Sequence, residues 1–379
     1  MSEIDVKIVK ISKIEPHENA DRLSLAIIGD TDYRCIIQKG QFNEGDLCIY
    51  IPSDAVITQE MIEKLQANSK ITIEPRIRPV KIRGVFSEGL CLIPSDWVPQ
   101  DVVKDGADVK ELLGIKKFEP TEQIEHGPKT SNKINFNYKN NNFIEYKCVE
   151  KYKKYPKVME EIEGDIVATI KRHGMNSRFG LVKKIHNSWL SKLKGKLFGE
   201  VEFLVGSHSV IKKPAKKWVN TQEYAKEDSW WKIAKKYNIE NKVKQLQKIL
   251  GNKNTEVVVY GEIYGPGCQK GYDYGVPAGE LELVVFDIMV NKKFLGWDEV
   301  VDLCNKINLP VVEVVYRGSW NKELISMAES IDIYNGKSYN REGIVLRPIK
   351  ETWHPKCGRV IMKYLNEKFL MDKTNSDFH

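Results

Sequence analysis

The sequence predicts an α+β protein in two unequal parts: a small β-barrel, then a larger domain built on antiparallel sheets. Three observations carry this. Short alternating strands at even spacing fill residues 1–115. A polar stretch rich in Asn and Lys follows. Beyond it, apolar strands alternate with amphipathic helical pieces.

Composition sets the bounds. A chain of 379 residues has room for two or three domains and their cores. Hydrophobic content of 41% beside 29% charged residues is that of an ordinary globular protein. A net charge of +7 points only weakly to an acidic partner. No apolar run approaches the ~18 residues of a membrane span. Residues 1–7 have neither the basic start nor the apolar centre of a secretion signal. The 7 cysteines are scattered singly, without a C-x-x-C pair. That argues against a disulfide framework or zinc knuckle and for a reducing compartment, the cytoplasm, or the nucleus in a eukaryotic or viral setting. A monomer is expected, with no membrane partner.

In the first part, residues 6–11, 23–28, 33–38, 47–51, 80–82 and 89–93 read as strands. Turn signals stand between them at Gly29-Asp30, at Asn43-Glu44-Gly45-Asp46 and at Gly84. Five or six strands so spaced suit an OB-type barrel. Residues 116–140 carry Pro120, Gly127, Pro128, Asn135, Asn137 and Asn140, and read as a linker. Residues 141–379 form the second domain, with helical pieces at 229–237, 241–250 and 297–307. Its stretch 182–236 is basic and aromatic, with Lys183, Lys192, Lys212, Lys216, Trp189, Trp218, Trp230 and Trp231. Two readings stay open there: a nucleic-acid surface, and a solvated face whose tryptophans belong to the core.

The chemistry-bearing residues lie at strand ends. Ile166, Val167, Thr169 and Ile170 deliver Lys171 to the end of a strand, and Gly174 follows in the pattern K-x-H-G. An amine at the mouth of a sheet can be desolvated and crowded by cations. Both effects lower a lysine pKa from roughly 10.4 and expose the nucleophilic form. Alone the pattern is common, and a lysine at a strand end is ordinarily a solvated end. Four further segments follow in order. One strand ends on Glu262 between glycines, and the next ends on Phe286 and Asp287. A third opens on Glu342, and a fourth carries Lys363. Three carboxylates together need a cation: Mg²⁺, which favours oxygen ligands, or else a lysine such as Lys363.

This order resembles motifs I, III, IIIa, IV and V of the covalent nucleotidyltransferase superfamily. That superfamily holds ATP-dependent DNA ligases, RNA ligases and mRNA capping enzymes. His173, and the run from Gly261 to Gly275, are similar to the RNA ligase group typified by the Deinococcus and Naegleria enzymes. Members of that group carry an OB-type domain ahead of the transferase domain. The turn from His17 to Leu23 is similar to one in tRNA-binding OB domains. The segment from Arg83 to Leu90 is similar to the N-terminal domain of that ligase group.

The resemblance implies an ATP-dependent RNA ligase. It would join 3′-OH and 5′-phosphate ends through a lysyl-AMP and an adenylylated 5′ end. Its substrate would be RNA or an RNA-containing duplex, at nicks with RNA on the 3′-OH side. ATP would donate AMP, with Mg²⁺ or Mn²⁺ as the metal. Lys171 would be the nucleophile, and Glu262, Asp287 and Glu342 would hold the metal. Phe286 would stack on adenine, with Val345 on its other face. Lys363 would meet the α-phosphate, Arg178 the substrate phosphates, and the backbone around Ile170 and Gly174 would cradle the nucleotide. Lys151, Lys153 and Lys154 are candidates for the β- and γ-phosphates. Three departures are visible. Ile361 stands where many relatives have a motif V cation, with Arg359 or Lys356 as stand-ins. Ile170 stands where many have a polar residue. Ser207-His208 is the nearest match to the Ser-Arg of motif Ia. The rival reading is a non-catalytic RNA-binding protein on a ligase scaffold.

Overall fold

The computed structural model describes residues 4–67, 73–118, 138–147, 149–185, 200–212 and 228–371. Strands β1 (Lys7–Pro16), β2 (Leu23–Ile28), β3 (Arg34–Gln38), β4 (Leu47–Ile51) and β5 (Leu90–Leu92) form the first sheet, in the order β3-β2-β1-β4-β5. Every pairing in it is antiparallel.

Strand β4 shows why the sheet curls. Cys48 and Tyr50 pack with Ile11, Ala26, Ile28 and Cys35 on one face. Ile49 and Ile51 pack on the other with Ile8, Leu92 and helix α1 (Gln59–Ala67), through Met61 and Ile62. Burial on both faces needs an outer cover as well as an interior, and α1, which the sequence reading did not place, is part of that cover. The edges nearly meet: Glu88 N–H donates to Arg34 O at 2.8 Å, and Ile36 N–H to Ser87 Oγ at 2.9 Å.

The second part holds two more five-stranded sheets. One contains β6 (Glu150–Lys151), β7 (Asp165–Ile170), β13 (Val314–Ser319), β16 (Gly343–Pro348) and β17 (Met362–Leu365), in the order β6-β17-β16-β7-β13. The other contains β8 (Met175–Lys183), β9 (Val201–Gly206), β10 (Val257–Tyr264), β11 (Glu282–Val290) and β12 (Lys293–Phe294), in the order β9-β8-β10-β11-β12. A hairpin of β14 (Ile331–Tyr334) and β15 (Lys337–Asn340) lies outside both.

Alternation along the strands separates core from cleft. Ile166, Ala168, Ile344, Leu346 and Met362 form one core. The intervening Thr169, Val345, Lys363 and Lys151 are cross-strand partners and make a row on the opposite face. In the other sheet, Phe179, Val259, Ile263 and Val285 pack on helices α2 (Ser229–Lys236), α3 (Ile239–Leu250) and α4 (Trp297–Lys306). Their neighbours Arg178, Tyr260 and Glu262 take the opposite face. The helices fall where the sequence placed them. Asp228 caps α2 by accepting from Trp231 N–H at 3.0 Å.

The two parts are joined by charge. Lys153 pairs with Glu88, a buried contact, and Lys154 with Asp5 at 2.6 Å; Lys157 meets Asp30 at 2.7 Å. A cavity of about 400 Å³ runs between them, lined by Tyr33, Tyr50, Lys151, Lys154 and Lys363. Most of the expected linker, 119–137, lies outside the described residues. Its first residues, Lys116–Lys117, pair with Ala55–Val56, and Asn140 Nδ2 donates to Glu202 at 2.8 Å. Much of the basic stretch 182–236 lies outside them too, including Lys192, Lys216, Trp189 and Trp218. Trp230 and Trp231 pack against the helix-covered core, with indole N–H groups bonded to Asn176 O and Lys212 O. Among the described residues no helix is long and apolar enough to cross a membrane.

Candidate active site

The turn after β7 is held residue by residue. Ile170 N–H donates to Glu313 O and Lys171 N–H to Gly343 O, both at 2.9 Å. His173 N–H donates to the Tyr274 hydroxyl at 2.9 Å, and Gln269 Nε2 donates to Gly174 O at 2.8 Å. Gly174 must be glycine, because a Cβ there would lie 2.3 Å from Ile263 O. Gly343 is equally constrained, with φ at +158° and a virtual Cβ 2.1 Å from Tyr364 O. Close backbone approach at both points brings the ends of three strands around Lys171.

Lys171 Nζ donates to Glu342 Oε1 in an ion pair. Burial pushes the Glu342 carboxyl above its ordinary range, while Lys171 and Lys363 pull it back. Its second oxygen, Oε2, has no hydrogen-bond partner among the described residues, and His173 Nδ1 lies 3.9 Å away. His173 is itself buried, edge-on to Tyr272 and Phe369 at 5.1 and 5.0 Å. Glu262 reaches the same turn from β10. A Cβ on Gly174 would stand 3.1 Å from its Cγ. Opposite Glu262 in the sheet is Asn176, whose buried Oδ1 also lacks a partner among the described residues.

The structure thus brings Lys171, Glu342, Glu262 and Gly174 to one turn, with Ile170 leading into it. Val345 and Lys363 lie in the adjacent cross-strand row. Phe286 is half-buried on β11, edge-on to Tyr146 at 4.9 Å.

Several expected site residues already have protein partners. Asp287, expected among the metal ligands, is enclosed by cations and a tyrosine. It is 0% exposed, and its oxygens accept from Tyr146 at 2.8 Å, face Arg359 at 2.7 Å and face Arg347 at 3.4 Å. Arg359, a candidate stand-in for the motif V cation, is held over the Phe294 ring by Asp287 and Glu351. Arg178 is 2% exposed and donates to Phe143 O at 2.6 Å and Ser207 O at 3.1 Å. Its guanidinium braces the sheet. Lys153 and Lys154 face Glu88 and Asp5, whereas Lys151 stands beside Lys363. Ser207 sits in a tight turn, accepting from Val210 N–H at 3.3 Å.

Residues that sequence reasoning missed include Arg347, Glu351 and Tyr146 around Asp287. No local pattern marks them, since Tyr146, Asp287 and the Arg347–Glu351 pair come from separate stretches of the chain.

The donors present fit a hydrated divalent cation. Among the described residues no three His, Cys, Asp or Glu side chains are gathered into a ready-made metal cluster. Glu342 has an unpartnered buried oxygen, and Glu262 is at the same turn. Mg²⁺ commonly takes one or two carboxylates and completes its shell with water and phosphate oxygens.

Comparison with known proteins gives the family and the fold. A model of the RNA ligase family matches residues 164–365, over half of the chain, and a model of an OB-fold domain matches residues 5–94. The fold is similar to that of an unliganded variant of Naegleria gruberi RNA ligase, with a TM-score of 0.69 at 20% identity, covering 98% of each chain. It is also similar to the same enzyme with PPi, with a TM-score of 0.68 at 21% identity and 98% coverage of each chain. A variant with ATP and Mn gives 0.68 at 20% identity over the same shares. The family match spans the strand that delivers Lys171 through the strand that carries Lys363, and this chain belongs to the RNA ligase family.

Proposed function

We propose that the protein is an ATP-dependent RNA ligase that joins 3′-OH and 5′-phosphate ends, at nicks in duplexes with RNA on the 3′-OH side. The observation that carries this is the Lys171 amine fixed at a strand end against a buried, half-satisfied Glu342. The solved complexes of the Naegleria gruberi enzyme with ATP and Mn, and with PPi, support the nucleotide reading.

Three transfers follow. Lys171 Nζ attacks the α-phosphorus of ATP; a P–N bond forms, the bond to pyrophosphate breaks, and pyrophosphate leaves. A 5′-phosphate oxygen then attacks that phosphorus, breaks the P–N bond and returns the lysine. Last, the 3′-OH attacks the activated 5′-phosphate and AMP leaves. Splitting one condensation this way gives each step a good leaving group.

The protein supplies position and charge. Lys363 meets the α-phosphate, with Lys151 beside it in the row. Phe286 and Val345 hold the adenine, and the backbone of Ile170 and Gly174 shapes the floor. Glu342 and Glu262 are the carboxylates that would hold Mg²⁺ or Mn²⁺. When bound, the metal would neutralise the α-phosphate and the charge that ties Glu342 to Lys171. Glu342 keeps the resting amine aimed across the turn. Residues 1–115 act as a nucleic-acid-binding module, 116–140 as linker and 141–379 as the transferase, in a cytoplasmic or nuclear monomer.

The test is sealing of a nicked duplex with RNA, then DNA, on the 3′-OH side, with ATP and Mg²⁺. Joining that needs RNA at the 3′-OH is expected. Equal joining of both would remove the nick preference. No joining of any end would favour a binding protein on a ligase scaffold.

A further inference from the structure

Arg172, next to Lys171, is a long cation that is buried. Its Nη2 reaches both carboxylate oxygens of Glu313 at 2.6 Å. Its Cζ lies 4.9 Å from the ring centre of Tyr264, 4.6 Å from Tyr274 and 4.4 Å from Tyr334. Nε and Nη1 are buried without hydrogen-bond partners among the described residues, so the tyrosine faces are what surround them. A guanidinium set among three rings is costly to place there for charge alone, and its neighbours show what it does.

Each neighbour also holds the Lys171 turn or something attached to it. Glu313 binds Arg172 through its side chain and Ile170 N–H through its backbone carbonyl. Tyr274 covers the guanidinium and accepts from His173 N–H. Tyr334 brings the β14–β15 hairpin, which is strapped to the 265–275 loop. Lys337 meets Asp273 at 2.8 Å, Asn335 Nδ2 donates to Gly275 O at 2.8 Å, and Gly275 N–H donates to Tyr339 at 2.9 Å. Arg172 therefore ties β7, the segment entering β13, the 265–275 loop and the hairpin together one residue from the nucleophile.

We propose that Arg172 is a positioning residue for Lys171: its tyrosine and Glu313 cage fixes the turn so that the amine points into the site. This rests on Lys171 being the nucleophile. A planar fork among rings restrains orientation as a lysine ammonium cannot. Small misplacement of a reacting group can cost about 10²-fold in rate.

The experiment compares wild type, Arg172→Gln, Arg172→Lys, Glu313→Gln and Lys171→Ala in the full chain. It measures AMP attachment from ATP across ATP concentrations, and sealing of a chemically pre-adenylylated strand. Arg172→Gln should lower the attachment rate at saturating ATP by about 10- to 100-fold. Its KM for ATP and its sealing of pre-adenylylated ends should stay within about threefold of wild type. Arg172→Lys should not restore attachment. Glu313→Gln, at the outer and more exposed end of the cage, should give a smaller loss of the same kind and serves if Arg172→Gln fails to fold. Wild-type attachment in the folded variants would overturn the inference. So would parallel loss of attachment and pre-adenylylated sealing, which marks a purely structural cage. If Lys171→Ala still takes up AMP, the nucleophile reading falls first. If it does not, while Arg172→Gln labels at the wild-type rate, only the positioning role falls.

Discussion

Two buried carboxylates in this cleft look alike in the sequence and differ in the fold. Asp287 lies within one strand and Glu342 immediately precedes another. Asp287 is surrounded by Arg347, Arg359 and Tyr146, and nothing of it is exposed. Glu342 has one lysine on one oxygen and no hydrogen-bond partner on the other among the described residues. The first is a finished network, and the second is arranged to receive something. A buried charge is tolerated when its partners are complete, and an incomplete set marks where function is to be sought.

The largest separation of the two comes from removing each in turn. Glu342→Gln should keep the fold, since burial already disfavours the charged form, and should lower AMP attachment by at least about 10²-fold. A variant attaching AMP at the wild-type rate across a Mg²⁺ titration would take Glu342 out of the site. Asp287→Ala should do the reverse. It strands two arginines, and breaking a buried pair costs about 3–5 kcal/mol. Urea unfolding should show that loss. Unchanged stability with lost metal-dependent activity would erase the distinction drawn here.

A smaller effect is expected at the barrel. Deleting residues 1–115 removes the partners of Lys153, Lys154 and Lys157. Nick sealing should fall more than AMP attachment, measured side by side. Equal loss of both would make the barrel a structural cover for the transferase part.

The smallest effect concerns the strap beside the Arg172 cage. Lys337, Tyr339 and the Gly275 N–H hold the Asp273 carboxyl at about 2. Its folded value is depressed, so its stabilisation is present above its unfolded value of ~3.9 and is lost as pH falls toward about 2. Asp273 is partly exposed and screened by solvent, so the change should be slight. An acid titration of wild type against Asp273→Asn should differ only in that window, and coincident curves would show that the strap adds nothing.

Much of this was legible in the chain. Lys171 follows the end of its strand and Glu342 precedes the start of its own, Glu262 and Lys363 lie within theirs, and alternation gave the strands that carry them. The helices at 229–237 and 297–307 followed from their period. What was not legible is partnership across sheets. Asp287 is enclosed by Arg347 and Arg359, which arrive from separate strands. Lys153 and Lys154, candidates for the β- and γ-phosphates, pair with Glu88 and Asp5 of the barrel. Helix α1 covers a strand buried on both faces, a need that no local pattern displays. Arg172 was the unmarked letter of K-x-H-G, and only the fold gathers Tyr264, Tyr274 and Tyr334 around it.

The central claim is that Lys171 takes AMP from ATP. Purified protein would be freed of bound nucleotide, mixed with Mg²⁺ and ATP labelled on its α-phosphate, and run on a denaturing gel beside Lys171→Ala. Label is expected on the wild type, released by acid as a P–N bond is, and none on the variant. Label that persists on Lys171→Ala, or no label on folded wild type, would contradict it.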